Sequence, residues 1–191
     1  RREPTRATQP KAGYARPARL LHWVMAVIAL GMIPVGFLML NEELSRELRN
    51  SMFIAHKNLG SLMLVLIVLR LLYRWRRPPN LRPVALPWAQ EMAARASHLG
   101  LYALLVIMPL SGYVRVRAGG FPIEALDAMG VPAFVPRSDA LAEVAKTVHF
   151  YAGYAIAGLV VLHICAAAYH GLVRRDGIFS RMWPVFARNT G

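Results

Sequence analysis

Six histidines are the residues of this 191-residue chain best suited to chemistry: His22, His56, His98, His149, His163 and His170. Four of them are spaced in a way that carries information. His149 and His163 lie 14 residues apart. On an α-helix that is about 21 Å along the axis and within about 40° of one face. His22 and His56 stand near the starts of two other apolar stretches. If consecutive stretches run in opposite directions, His22 shares the depth of His163, and His56 shares that of His149. Two stacked pairs of imidazoles suggest metal ligation. Structural zinc wants four ligands, and neither Cys165, the single cysteine, nor a carboxylate lies at those depths. A planar macrocycle needs only two axial ligands, trans to each other, and room for its face. Glycine supplies room: Gly60 comes four residues after His56, and Gly153 four after His149. Gly36 lies at the depth of the outer pair, and Gly158 between the two histidines of the last stretch. The pattern predicts two b haems, each held by two histidines: His22 and His163 on the inner iron, His56 and His149 on the outer. With both axial positions filled, such iron carries electrons and does not bind oxygen.

The elements that would hold these residues are visible in the hydropathy. A bilayer core takes about 20 largely apolar residues as a helix. Four stretches qualify, at about residues 20–40, 52–73, 97–114 and 148–173, with Lys57 and Arg70 near the ends of the second. The hydrophobic fraction is 56% and the mean hydropathy +0.37. Both are high for a soluble domain, where apolar residues make up about 45–50%. The expected fold is therefore all-α, an integral membrane four-helix bundle forming one domain over 1–191, with tails at 1–16 and 176–191. No A-x-A-like cleavage site follows Leu40 and His22 lies within the first stretch, so that stretch is expected to be a retained helix. The Pro-rich run Arg77-Pro78-Pro79-Asn80 should be an extended connection. The long loop from Gly119 to Asp139 should carry a short helix over the outer face.

The net charge is +13. Nucleic-acid binding is excluded as its cause, because a chain this apolar places its cations by topology. Four spans put both termini on one side. That side holds the N-terminal arginines and Lys11, the basic residues from Arg70 to Arg95, and Arg174, Arg175, Arg181 and Arg188, against only Glu3, Glu91 and Asp176. On the other side basic and acidic residues balance. Both termini are expected to be cytoplasmic, with lipid headgroups as contacts of the charge.

The chain also resembles the bacterial cytochrome b561 family, related to the cytochrome b subunits of nickel hydrogenases and formate dehydrogenases. The resemblance rests on Arg19-Leu20-Leu21-His22-Trp23, on His56-Lys57-Asn58-Leu59-Gly60, on Arg70-Leu71-Leu72-Tyr73-Arg74 with Pro78-Pro79, and on Lys146-Thr147-Val148-His149 with His163. It covers about residues 14–175. It implies haem b, an inner-membrane location, and exchange of electrons with a quinone, ubiquinone being expected, near the inner haem. Stand-alone members resemble superoxide oxidases, which pass an electron from periplasmic superoxide to ubiquinone.

Individual residues can be matched to those roles. A small anion such as superoxide would be drawn by Lys57, Lys146, Arg115 and Arg117 near the outer pair. His170, seven residues after His163, would serve a quinone, with Arg16, Arg19 and Arg174 for its headgroup or the haem carboxylates. His98, at the inner start of the third span, would line the quinone site or stand in for His22; the family pattern, which puts no ligand on the third helix, ranks it second. Two rival functions remain. One is a haem-bearing anchor subunit of a dehydrogenase or hydrogenase, working with a soluble or membrane redox partner. The other is a non-redox channel or transporter.

Overall fold

The computed structural model describes residues 13–81 and 83–183. The basic residues Arg1 to Lys11, Arg82 and Arg188 therefore lie outside the described residues. Four long helices carry the chain: α1 (Arg16–Leu38), α2 (Arg46–Arg76), α3 (Trp88–Ala118) and α5 (Asp139–Ala168), with a short α4 (Glu124–Ala128) before the last. All four are long and apolar enough to cross a membrane. No strand lies among the described residues.

Three of the helices begin well before the apolar stretches that announced them. Ser45 caps α2, its hydroxyl accepting from the Leu48 amide at 3.3 Å, and Ser138 caps α5 by accepting from Leu141 at 3.3 Å. Pro87 precedes α3. A hydropathy window reports only the apolar part, whereas the backbone stays helical until a cap or a break ends it. Arg74 and Arg76 fill the last turn of α2, Arg115 and Arg117 that of α3, where cations suit the helix dipole.

Close backbone packing joins α1 to α2, α2 to α3 and, most extensively, α3 to α5. The buried core is small: Met25, Met63 and Ile67, surrounded by residues such as Ile28, Leu64, Tyr102 and Leu105. Large apolar side chains point outward instead, Val27 at 68%, Leu99 at 72% and Val161 at 62% exposure. That is the surface of a bundle solvated by lipid tails, where outward leucine costs nothing.

The two ends of the bundle differ. At one end, α4 closes over α2 and α3. Lys57 donates to a Glu124 carboxylate oxygen at 2.7 Å, and Asn58 both donates to Glu124 at 3.1 Å and accepts from the Ala125 amide at 2.9 Å. Arg117 donates to Asp127 at 2.6 Å. This is the short helix expected in the 119–139 loop. The other end holds the start of α1, the end of α5 and the α2–α3 connection. There α5 widens into a π-helical turn (Tyr169–Arg174), Arg175 adopts a left-handed conformation, and a 3-10 turn (Phe179–Arg181) folds back. Trp23 donates its indole N–H to the Met182 carbonyl at 3.0 Å, and the Tyr14 amide donates to Arg181 at 3.0 Å. Residues 176–183 are thus docked on α1, where the sequence suggested a plain tail.

Candidate functional site

The histidines meet across the bundle in two places. At the α4 end, His56 of α2 and His149 of α5 have ring centroids 6.1 Å apart. At the terminal end, His22 of α1 and His163 of α5 are 6.3 Å apart. Two imidazoles bound trans to one metal, each nitrogen about 2 Å from it and each ring centre about 1 Å further, stand with centroids about 6 Å apart. Neither α1 nor α2 packs its backbone closely on α5, so the histidines bridge helices that are held apart. Separation of that kind suits a macrocycle between them.

The surroundings of His149 fix its tautomer. Its Nδ1 lies 3.0 Å from the Met108 carbonyl oxygen and 3.2 Å from the Ser111 hydroxyl, which itself donates to Met108. A carbonyl only accepts, so Nδ1 carries the ring proton and Nε2 keeps its lone pair for a metal. His56 Nδ1 is buried without a hydrogen-bond partner among the described residues. Glycines let both rings in. A Cβ on Gly36 would stand 3.1 Å from His56 Cε1, and one on Gly112 would stand 3.1 Å from His149 Cε1. Gly60 and Gly153 meet instead the methyl ends of Met32 and Met108. At the α4 end, a facing pair of imidazoles, an Nδ1-protonated tautomer and glycine cradles fit a group held between His56 and His149; at the terminal end the facing pair alone is shown.

His98 complicates the terminal end. Its ring centroid lies 5.8 Å from that of His163, closer than His22 comes. The structure therefore brings three histidines together there, and distance alone does not choose between His22 and His98. His22 also packs edge-on against Trp23, which in turn meets Trp183.

The prokaryotic cytochrome b561 family model matches residues 13–185, which span all four long helices and all six histidines. The chain belongs to the prokaryotic cytochrome b561 family. A curated relative, Cytochrome b561 homolog 2 of Escherichia coli (strain K12), is 34% identical over 164 residues, 84% of this chain and 86% of the relative. Membership makes this b561 protein a multi-pass membrane cytochrome of the b type, with a role in transmembrane electron transfer.

Lys57, Lys146, Arg115 and Arg117, expected as a local cluster on an outer face that is neutral overall, stand among acids in the structure, three of them in ion pairs. Lys57 pairs with Glu124, Arg117 with Asp127, and Lys146 with Glu143 at 2.9 Å. Glu124 and Asp127 arrive on α4, whose docking no local spacing reveals. Arg115 alone makes no ion pair among the described residues, and it lies close enough to both His56 and His149 to act on each electrostatically. For the acids the pairing is visible in their acidity. Burial works to raise the Glu124 carboxyl, but the hydrogen bonds it accepts from Lys57 and Asn58 and the Lys57 charge together hold the group below its ordinary value. The Arg117 hydrogen bond does the same for Asp127.

At the terminal end, His170 sits in the π turn with Nδ1 2.7 Å from Asp176, which Arg174 also reaches at 3.2 Å. Burial works against the Asp176 charge, yet the contacts with His170, the Ile178 amide and Arg174 together keep its carboxyl below the usual range. Arg174 further donates to Gln90 of α3 at 2.7 Å. Arg19 is buried in the first turn of α1. Sequence reasoning missed Met108, Ser111, Gly112 and Asp176. Ser111-Gly112 after Pro109 is a visible small-residue step, but it gains meaning only when α3 lies against His149.

Proposed function

We propose that this cytochrome carries electrons between its two ends through two b haems, one on His56 and His149 and one on His22 and His163. The observation that carries the reading is the pair of ring separations, 6.1 and 6.3 Å, on helices whose backbones stay apart. A b haem, when bound, takes up and releases one electron at a time. The protein supplies ligation, spacing and electrostatics. His149 offers Nε2 because Met108 and Ser111 hold Nδ1. His170 is oriented by Asp176, which accepts from Nδ1–H; once the ring takes up a second proton from the terminal side, its Nε2–H can hydrogen-bond a quinone and pass that proton on, leaving the neutral Nδ1–H ring. At the α4 end Arg115 supplies the positive field for a small anionic donor, superoxide. The overall reaction proposed is two superoxide anions, one ubiquinone and two protons giving two dioxygen and one ubiquinol. The terminal end is assigned to the cytoplasmic side of the bacterial inner membrane on the distribution of basic residues.

The test begins with pyridine haemochrome analysis of the purified protein, which should give two haems b per chain. A colourless or single-haem preparation overturns the ligand assignment. Stopped-flow reduction of the haem bands by superoxide should then slow several-fold in Arg115→Gln. An equal rate in the variant removes superoxide as the donor and leaves the haem assignment standing.

A further inference from the structure

A second site lies at the terminal end, bordering the histidines through Arg70. A cleft of about 560 Å³ opens between the start of α1, the end of α2 and the Pro-rich connection that follows. Volumes of this size are typical of ligand sites. Its lining includes Arg70, Arg74, Arg76 and Arg77, together with Tyr73 and Tyr102, and no carboxylate among the described residues. Arg70 and Arg74 stand one turn apart on one face of α2, and Arg77 follows as its C-cap. Like charges so placed repel unless something answers them. The dipole at the end of α2 favours the last of them but falls off within a turn, too soon to account for Arg70. Elsewhere at this end the structure does answer its arginines: Arg95 pairs with Glu91, and Arg174 with Asp176.

The cleft is also preorganised. Arg70 donates to the Ala18 carbonyl at 3.0 Å, fixing it against α1. Arg70 and Arg74 stand 5.8 and 5.6 Å from the centre of the Tyr102 ring, so one aromatic face steadies both cations. Arg76 and Arg77 are exposed at the rim. Four guanidiniums at the depth where α2 leaves the bilayer meet the phosphate layer, and planar guanidinium forks match phosphate oxygens.

We propose that this cleft binds the phosphate of an anionic phospholipid headgroup. Its inner residue Arg70 also acts electrostatically on His22 and His163, so the test uses the rim residues Arg76 and Arg77, whose loss should leave the haem ligands intact. The experiment uses the full-length haem-loaded protein, stripped of annular lipid in detergent, and reads phosphatidylglycerol retention by native mass spectrometry. Wild type should keep phosphatidylglycerol at least tenfold better than phosphatidylcholine, and the R76Q/R77Q variant should lose that preference with haem content unchanged. The R95Q/R175Q variant removes equal charge from the same end outside the cleft and should behave as wild type. Equal losses in both variants overturn the site in favour of general surface charge. Inorganic phosphate displacing the lipid at equal concentration overturns the lipid assignment. Haem loss in R76Q/R77Q with lipid retained places a haem carboxylate in the cleft and overturns the proposal. Should R76Q/R77Q misfold, phenylglyoxal labelling of wild type decides: phosphatidylglycerol must protect Arg74, Arg76 and Arg77, and phosphatidylcholine must not.

Discussion

The ring of His149 is held by two contacts that differ in how replaceable they are. Ser111→Ala removes a hydroxyl but leaves the Met108 carbonyl to hold Nδ1–H. Loss of such a supporting contact costs about 10–100-fold in metal affinity or activity. With one acceptor remaining, the lower end is expected, about tenfold weaker retention of the outer haem in competition with apomyoglobin. Gly112→Ala acts by steric means. Its Cβ would press on the ring at 3.1 Å, so the ring must move by a few tenths of an ångström, and the outer haem potential should shift. At the other end the choice between His22 and His98 is open to direct measurement. His22→Ala should leave one haem per chain and His98→Ala two, by pyridine haemochrome; the reverse result would make His98 the ligand.

At the scale of elements, α4 is the part whose attachment is chiefly electrostatic. Its five residues are too few to be stable alone, and side chains of Lys57, Asn58 and Arg117 hold it to the bundle. Glu124 and Asp127 both have lowered carboxyl pKa values. A depressed acid contributes stability above its ordinary pKa and loses it as pH falls through the lowered one. Attachment of α4 should therefore be constant from neutral pH down to about pH 4 and weaken below it. Hydrogen exchange of the 119–138 segment, corrected for intrinsic rates, should accelerate below that point while the long helices stay protected. Glu124→Gln should reproduce part of the effect at pH 7, because Lys57 then donates only to neutral acceptors, the Pro122 carbonyl at 2.9 Å and the introduced amide oxygen.

On the scale of the whole molecule, the apolar exterior and the stacked pairs make one expectation together. If electrons cross the bilayer through both pairs, either His56→Ala or His163→Ala alone should abolish transfer in sealed liposomes, though each variant keeps one haem. Transfer persisting in a single-haem variant would show that the two ends work separately. Orientation is tested by fusing a fluorescent protein that matures only in the cytoplasm to the C-terminus: fluorescence is expected, and its absence would invert the assignment of ends.

Much of this was legible in the residues themselves. Apolar runs of bilayer length dictate helices, because a backbone in lipid has no other partner for its polar groups. Fixed rise per residue turns the interval between His149 and His163 into two depths, and the alternation of spans assigns His22 and His56 to them. Pairing across helices is different. That Lys57, Arg117 and Lys146 are neutralised, that Ser111 and Met108 orient His149, and that His98 comes as near His163 as His22 does, follow from how helices rotate and dock. Those rotations are set by packing spread over many weak contacts, which no single residue encodes. The sequence by itself determined the spans, the charge asymmetry and the depths of the histidines. Tertiary structure alone decided which cations remain unpaired, which glycines touch a ring, and that four arginines at one end line a common cleft.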